Sequence, residues 1–368
     1  MKILHLMKKE KFLNSARNFY NIHFDNNEHT ICYINFFGEE SLIDRSISIP
    51  QIEIYFKRKS LKNIQKFKKV IKEYDFIVFH SLQFVSSITN LIWLLPQKYL
   101  SRFIWIEWGA DLYKDYKGIA SVINSRFKTK IGYYIAIFPP DIDVFKAKFP
   151  RSKAKLYYAP YIGPYAPSYM QDTHSHSSLF KKNGILTIQI GQNANEGLHH
   201  IETLDILKKF KDENIQIIMP MNYGGNKEYV NEVEKHAVSI FGDKVQVVKE
   251  FLPVDQYWEM MKNVDIAIFH TDRQAGLGNI HRALWHDVKV YLCENGVMYQ
   301  YFRKRGAPVQ RIENIVNESF IDFSSTPILT NDEILEYQQY RKEISNIDYR
   351  VDLWRKIYDE LRNNQEKK

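Results

Sequence analysis

The sequence predicts an α/β protein built as two doubly wound parallel-sheet domains, and three observations carry that prediction. Short strand-like apolar runs alternate with amphipathic helix-like runs through both halves of the chain. A patternless stretch rich in proline, serine, tyrosine and histidine, residues 158–183, separates the halves. The length of 368 residues is enough for two domains that each bury a core. The composition is that of a globular protein, 45% hydrophobic and 26% charged with a high aromatic share of 14%; a net charge of +8 is modest enough that its distribution matters more than its size.

In the first half, strand-like runs fall at residues 3–7, 30–36, 52–56, 76–80, 103–108 and 133–138, with amphipathic stretches such as 13–24 and 61–74 between them. This β, α, β order calls for a parallel sheet covered on both faces. The opening MKILHLMKKEKF has too short an apolar run, too closely followed by charge, for a secretory signal and reads as the first strand. Cys32 and Cys293 sit in strand-like segments far apart, so a reducing cytoplasm is expected and a disulfide framework is not. The longest uncharged apolar stretch, residues 81–97, is interrupted by Ser86, Ser87, Thr89 and Asn90 and stopped by Pro96, short of the about 20 residues that span a bilayer. The chain is expected to lie on a membrane at most.

An N-terminal domain of residues 1–160 is therefore expected, followed by a linker at 161–183 and a C-terminal domain at 184–330. His174 and His176 form an H-x-H inside the linker, with no cysteine or carboxylate cluster nearby, and read as solvated side chains rather than metal ligands. Strands at 185–190, 215–219, 245–248, 265–269 and 288–293 then alternate with helices that begin near 197, 226, 254 and 278, which makes the second domain Rossmann-like and more regular than the first. Residues 331–368 read as two helices, broken near 345–348, that can pack back on the N-terminal domain.

In open parallel sheets ligands gather where the strands end. The strand at 185–190 runs into Gly191-Gln192-Asn193-Ala194-Asn195-Glu196-Gly197, and a helix with His199 follows. A polar loop flanked by glycine offers backbone N–H groups and a helix dipole to an anion; the same residues also read as an ordinary βα loop with an asparagine cap. A second loop, residues 270–279, carries Arg273 to pair with a phosphate oxygen, Gln274 beside it, and Gly276 and Gly278 for close backbone approach. It is neither a Walker loop nor the G-x-G-x-x-G fingerprint. Together the two loops point to a diphosphate site, and a third, residues 219–226, adds Tyr223 as a base or sugar contact.

The first domain offers a different chemistry. FIWIEWGADLY, residues 103–113, reads as a buried strand ending in two carboxylates, Glu107 and Asp111, around a Trp108-Gly109-Ala110 turn. Group transfer to a hydroxyl needs a base, and a carboxylate desolvated beside Trp105, Trp108 and Tyr113 has a raised pKa. Asp111 stands past the strand and is preferred as the base; Glu107 belongs to the strand and its packing. His80 ends the fourth strand and is a helper or acceptor contact, although a strand-end histidine also reads as structural, as His5 in the first strand does, and Asp111 as the cap of the following turn. Asp141-Ile142-Asp143 is a D-x-D that capping of a helix N-terminus explains.

Residues 57–72 hold eight basic side chains, among them Lys57, Arg58, Lys62, Lys66 and Lys69, with Leu61, Ile64, Phe67 and Ile71 at helical spacing between them. Such a helix binds an anionic membrane surface at about 1 kcal/mol for each well-placed cation, or presents a solvated face. Nucleic acid is not an expected partner, because no recognition motif accompanies the charge.

Three segments carry a resemblance: WGADLY at 108–113, Met219-Pro220-Met221-x-Tyr223 with Asn226-Lys227-Glu228-Tyr229 after it, and Arg273-Gln274-x-Gly276-x-Gly278. In order and spacing, over residues 76–302, they look like the TDP-N-acetylfucosamine:lipid II N-acetylfucosaminyltransferase family, glycosyltransferase family 56. The resemblance implies a GT-B-type fold, two Rossmann-like domains facing across a cleft. It also implies transfer of a sugar, such as the amino-deoxy sugar N-acetylfucosamine, from a dTDP- or UDP-linked donor to a polyprenyl-linked or other glycan acceptor. The setting it implies is surface polysaccharide assembly, peripheral on the cytoplasmic face of the plasma membrane. On this reading Gln192, Asn193, Asn195, His199, Tyr223, Arg273, Gln274, Gly276, Gly278 and Asn279 hold the donor, with no metal or cofactor expected. No E-x7-E pattern surrounds Gly276, which favours inversion. Two alternatives stand beside this reading: a sugar-nucleotide epimerase of the same architecture, and a non-catalytic module for anionic lipid or glycan.

Overall fold

The computed structural model describes residues 1–8, 13–35, 47–55, 61–82, 95–161, 184–325, 327 and 329–366. The chain divides into two compact units, Met1–Ala166 with Asn346–Lys368, and Pro167–Ser345. No described helix is long and apolar enough to cross a membrane.

The first unit is a parallel sheet of β1 (Ile3–Lys8), β2 (His29–Asn35), β3 (Gln51–Tyr55), β4 (Phe76–His80), β5 (Phe103–Ile106), β6 (Tyr133–Ala136) and β7 (Lys155–Tyr158), in the order β3-β2-β1-β4-β5-β6-β7. The order reverses between β1 and β4, the switch point at whose carboxyl ends such sheets bind ligands. Alternation along the strands builds two cores. Leu4, Leu6, Ile77, Phe79, Phe103 and Trp105 face one side. Ile3, Met7, Phe76, Val78, Ile104 and Ile106 face the other. His5, between Ile3 and Met7, falls on this second side by the period of two. The short strand β7 has no counterpart among the expected elements. It is an edge strand bonded, among the described strands, only to β6, and its half-buried residues give little apolar signal.

The second side is closed by helix Leu13–His23 and by the last helix, Ile347–Glu366. Trp354, Ile357, Tyr358 and Leu361 recur on one helical stripe and are all at least 96% buried. Tyr358 shares a 2.9 Å hydrogen bond with Tyr20, and Trp354 Nε1 donates to the carbonyl of Pro160 at 3.0 Å. The two tail helices part company: Asn331–Ser345 belongs to the second unit, where Tyr337 donates to the carbonyl of Leu284 at 2.7 Å.

Helix Leu61–Ile71 carries the basic stretch. Its Phe67 and Ile71 are buried in the sheet core, so these residues of the apolar stripe are consumed by folding, and Lys69 is exposed. Lys57 and Arg58, and the side chains of Lys62 and Lys66, lie outside the described residues, as do His174 and His176.

The second unit is a parallel sheet of β8 (Leu186–Ile190), β9 (Ile215–Pro220), β10 (Val245–Val248), β11 (Ile266–Phe269), β12 (Lys289–Leu292) and β13 (Val309–Arg311), ordered β10-β9-β8-β11-β12-β13. The three-residue β13 is an edge strand too short to show a period. Here the reversal lies between β8 and β11, whose carboxyl ends carry the Gly191 and Arg273 loops.

Candidate functional site

At the carboxyl edge of the first sheet, β5 ends and the chain turns at Gly109, whose φ of 75° is a conformation that favours glycine. Asp111 organises this turn. Its Oδ2 accepts from the backbone N–H of Leu82 at 2.8 Å and from Trp105 Nε1 at 2.7 Å, and its Oδ1 accepts from the Trp108 N–H at 2.8 Å. Lys128 Nζ donates to the Asp111 carbonyl at 2.5 Å. Burial lowers the Lys128 ammonium to about 8, against the pull of Asp111. The carboxylate, 1% exposed, thus ties β4, β5 and the turn together.

Glu107 lies beside it, fully buried. Gly109 N–H donates to its Oε2, and Ile137 N–H donates to its Oε1 at 3.1 Å. Burial, reinforced by the charges of Asp141 and Asp111, raises its pKa well above the usual carboxylate range. Asp141 is the third member of the cluster. Burial raises it to about 6, while the Tyr113 hydroxyl, 2.5 Å from Oδ1, and Glu107 pull it back. The capping reading of the D-x-D therefore needs correcting. Pro140 occupies the cap position of helix Asp141–Lys148 with no side-chain cap bond, and Asp141 turns inward to the carboxyl cluster. Asp143 is exposed and pairs with Lys146 at 3.0 Å. Three carboxyls drawn from residues 107, 111 and 141 meet only through the fold, and sequence spacing gives no sign of the third.

His80 does not stand alone either. Its Nε2 is 3.1 Å from His5 Nδ1, and His5 Nε2 is 2.8 Å from His29 Nδ1. All three rings are fully buried among Tyr20, Phe24 and Tyr358. Burial lowers His80 to about 3 and His29 to about 4, and lowers His5 well below its ordinary value. His29 opens an ordinary β2 in the sequence and shows no signal there.

In the second unit, the loops after β8, β9 and β11 interlock. Asn193 Oδ1 accepts from Asn195 N–H at 2.9 Å, and Asn195 Oδ1 accepts both from Gly197 N–H at 3.0 Å and from Arg273 Nη2 at 2.8 Å. One amide oxygen thus caps a short turn and aims a guanidinium. Ala194 N–H donates to the Tyr223 carbonyl at 2.7 Å. A Cβ at Gly225 would stand 2.0 Å from the Ala194 carbonyl oxygen, so only glycine permits this approach. Gly276, at φ 66°, precedes helix Leu277–Trp285, whose N-terminus no side chain caps. The buried Gln192 side chain packs on Gly276, and its Oε1 has no hydrogen-bond partner among the described residues. Gln274 is buried beside these groups in sequence, Gly278 lies in the first helical turn, and Tyr223 is 43% exposed.

Two further expected donor contacts have protein partners of their own. Asn279 Oδ1 accepts from Tyr257 at 2.6 Å, on helix Val254–Met261. His199, in a left-handed conformation with φ 45°, faces Glu202 at 3.1 Å. Its neighbour His200 is the buried one, 3.0 Å from the Tyr229 hydroxyl and lowered to about 4 by burial. Among the described residues no group of three or more His, Cys, Asp or Glu is arranged to hold a metal ion.

Two parallel sheets, each wound about a switch point, constitute the GT-B architecture, and solved structures show the same fold. A glycosyltransferase from Rickettsia africae superposes with a TM-score of 0.65 at 13% identity over 99% of both chains. Anabaena Alr3699/HepE, solved with UDP, gives 0.64 at 12% over 99% of this chain and 100% of its own. An α,α-trehalose-phosphate synthase (UDP-forming) from Burkholderia vietnamiensis gives 0.63 at 9%, with the same coverage. The family model described as 4-alpha-L-fucosyltransferase, glycosyl transferase group 56, matches residues 14–333, and the chain belongs to that family of glycosyltransferases.

Proposed function

We propose that the protein transfers an amino-deoxy sugar, N-acetylfucosamine or a close analogue, from a dTDP- or UDP-linked donor to a polyprenyl-linked glycan, with inversion and with no cofactor. The observation that carries the donor half is the Arg273 guanidinium held by Asn195 beside the uncapped helix that follows Gly276. A nucleoside diphosphate leaving group develops charge as its bond to the sugar breaks. An arginine and a helix N-terminus, fixed beforehand, stabilise that charge without reorganising. Gln192 Oε1, unpartnered among the described residues, supplies an acceptor for a ligand O–H or N–H group. On the first unit, Asp111 is proposed to hold the acceptor-side edge in shape through its three hydrogen bonds, and His80 to stand in the path of the acceptor proton. Helix Leu61–Ile71, whose described side chains include Lys68 and an exposed Lys69, is proposed to meet the anionic cytoplasmic surface of the plasma membrane.

Membership in a transferase family sets aside the epimerase and the non-catalytic module. Calorimetry against a panel of dTDP- and UDP-linked sugars, followed by mass spectrometry with a polyprenyl-diphosphate-linked acceptor, tests the proposal. Tight binding of one amino-deoxy donor and a product heavier by that sugar is the expected result. Efficient transfer to a soluble sugar with no gain from the lipid-linked acceptor would overturn the acceptor assignment.

A further inference from the structure

The three histidines form an unbroken hydrogen-bonded line, His80 to His5 to His29, at 3.1 and 2.8 Å. Both outer nitrogens, His80 Nδ1 and His29 Nε2, are buried and have no hydrogen-bond partner among the described residues. A neutral imidazole carries one N–H, so the line has two self-consistent proton orders. In one, every N–H points from His80 towards His29, leaving His80 Nδ1 bare and His29 Nε2 protonated. In the other, all three are reversed. Either order leaves one buried donor and one buried acceptor unmet, at about 1–3 kcal/mol each. Apolar rings packed among Tyr20, Phe24 and Tyr358 would avoid that cost, so an account of the line in terms of packing alone is incomplete.

The line also has a direction. His80 is at the carboxyl end of β4, beside the switch point, whereas His29 opens β2. His5 is level with Val78, and His29 with Ile3, so the line runs back along the strands from His80, with neighbouring ring centroids 5.3 and 5.1 Å apart. It ends near Glu28, which Arg362 holds at 2.8 Å and the terminal amine at 3.3 Å.

We propose that His80, His5 and His29 are a proton relay that serves sugar transfer, taking the acceptor's proton in at His80 Nδ1 and releasing one at His29 Nε2. The proposal rests on the transferase reading. In the step, the acceptor O–H bond breaks as its oxygen bonds to the anomeric carbon, and the bond from that carbon to the diphosphate oxygen breaks, its electron pair leaving with the nucleotide. The proton goes to His80 Nδ1. The Nε2 proton of His80 passes to His5 Nδ1, that of His5 Nε2 passes to His29 Nδ1, and that of His29 Nε2 passes to bulk water on the side of Glu28. No buried imidazolium remains, and the line is left in its reversed order.

Two measurements decide the proposal. Nitrogen shifts of the 15N-histidine-labelled full chain at pH 7 read the tautomers without any substrate. A wholly or partly bare His80 Nδ1 with a complementary share of proton on His29 Nε2 is expected; His80 Nδ1 fully protonated would overturn the relay. In the second, the solvent isotope dependence of transfer is compared with that of His29→Phe, which removes the far end without touching His80. A curved dependence on deuterium fraction in the parent, becoming linear in the variant with kcat about tenfold lower and donor KM unchanged, supports the relay. Parental kcat and curvature in His29→Phe would refute it. If no donor and acceptor turn over, the relay fails with the transfer it serves, whereas turnover with parental kcat and curvature in His29→Phe sinks the relay alone.

Discussion

At the scale of single residues, the Asp111 carboxylate illustrates how a group placed for chemistry can be held by structure. Three donors converge on it from Leu82, Trp105 and Trp108. Asp111→Asn keeps the shape but turns an amide N–H towards one of those donors, leaving at least one buried group unmet, at about 1–3 kcal/mol. Urea unfolding of the first unit should shift by that amount; an unchanged midpoint would show that the turn does not depend on the charge. Arg273 poses the opposite case, a cation aimed by one amide oxygen. Arg273→Ala should weaken nucleoside diphosphate binding by about 10- to 100-fold, the range of a charge-assisted hydrogen bond of about 1.5–3 kcal/mol. Calorimetry with the diphosphate and with the bare nucleoside checks this, since only the former should respond. Arg273→Lys should recover part of the loss at most, because an ammonium cannot hold Asn195 and a phosphate in the same planar fork.

At the scale of elements, the donor loops depend on backbones that touch. Gly225→Ala would drive a Cβ to 2.0 Å from the Ala194 carbonyl oxygen, and that backbone atom cannot rotate away. The loops after β8 and β9 should separate, and nucleotide affinity should fall along with the melting temperature of the second unit. The last helix is a comparable test for the first unit. Trp354, Ile357, Tyr358 and Leu361 bury their side chains against the sheet, worth about 1.5–3 kcal/mol each and about 6–12 kcal/mol together as an upper estimate. That is of the order of a whole domain's stability, about 5–15 kcal/mol. Removing residues 347–368 should therefore leave the first unit unfolded or aggregated while the second still melts cooperatively; a single unchanged calorimetric transition would contradict this.

At the scale of the whole molecule, buried titrating groups set the pH response. His29 and His80 hold folded values of about 4 and about 3, below the unfolded value of about 6.5, so the unfolded chain takes up protons first as pH falls. Their contribution is complete above pH 6.5 and is lost on acidification; His5 and His200 act in the same sense. Asp141, raised to about 6, and Glu107, raised well above the usual carboxylate range by burial, act oppositely: the folded form holds their protons, and stability improves as pH falls through their folded pKa values. The lowered histidines, which also include His23 and His270, outnumber the two raised carboxyls, each group counting about 1.4 kcal/mol per pH unit. The melting temperature should therefore fall between pH 7 and pH 5; a flat or rising profile would mean that the histidines are not buried neutral.

What the sequence determined by itself is the two-sheet plan, the strands with a strong apolar period, and the loops after β8 and β11, because alternation and glycine-bearing strand ends are local properties of the chain. Edge strands β7 and β13 escaped, being too short and too exposed to carry a period. Tertiary structure alone decided which groups meet. Asp141 joins Glu107 from across 34 residues, His29 joins His5 and His80 on one sheet face, Asn195 reaches Arg273 over a separation of 78, and Tyr358 closes on Tyr20 over 338. Hydrogen bonds and charge coupling act over a few ångströms of space, while the sequence records only separation along the chain. The residue types of the candidate site were legible, but their partners, and hence the holding role of Asp111 and the line of three histidines, required the fold.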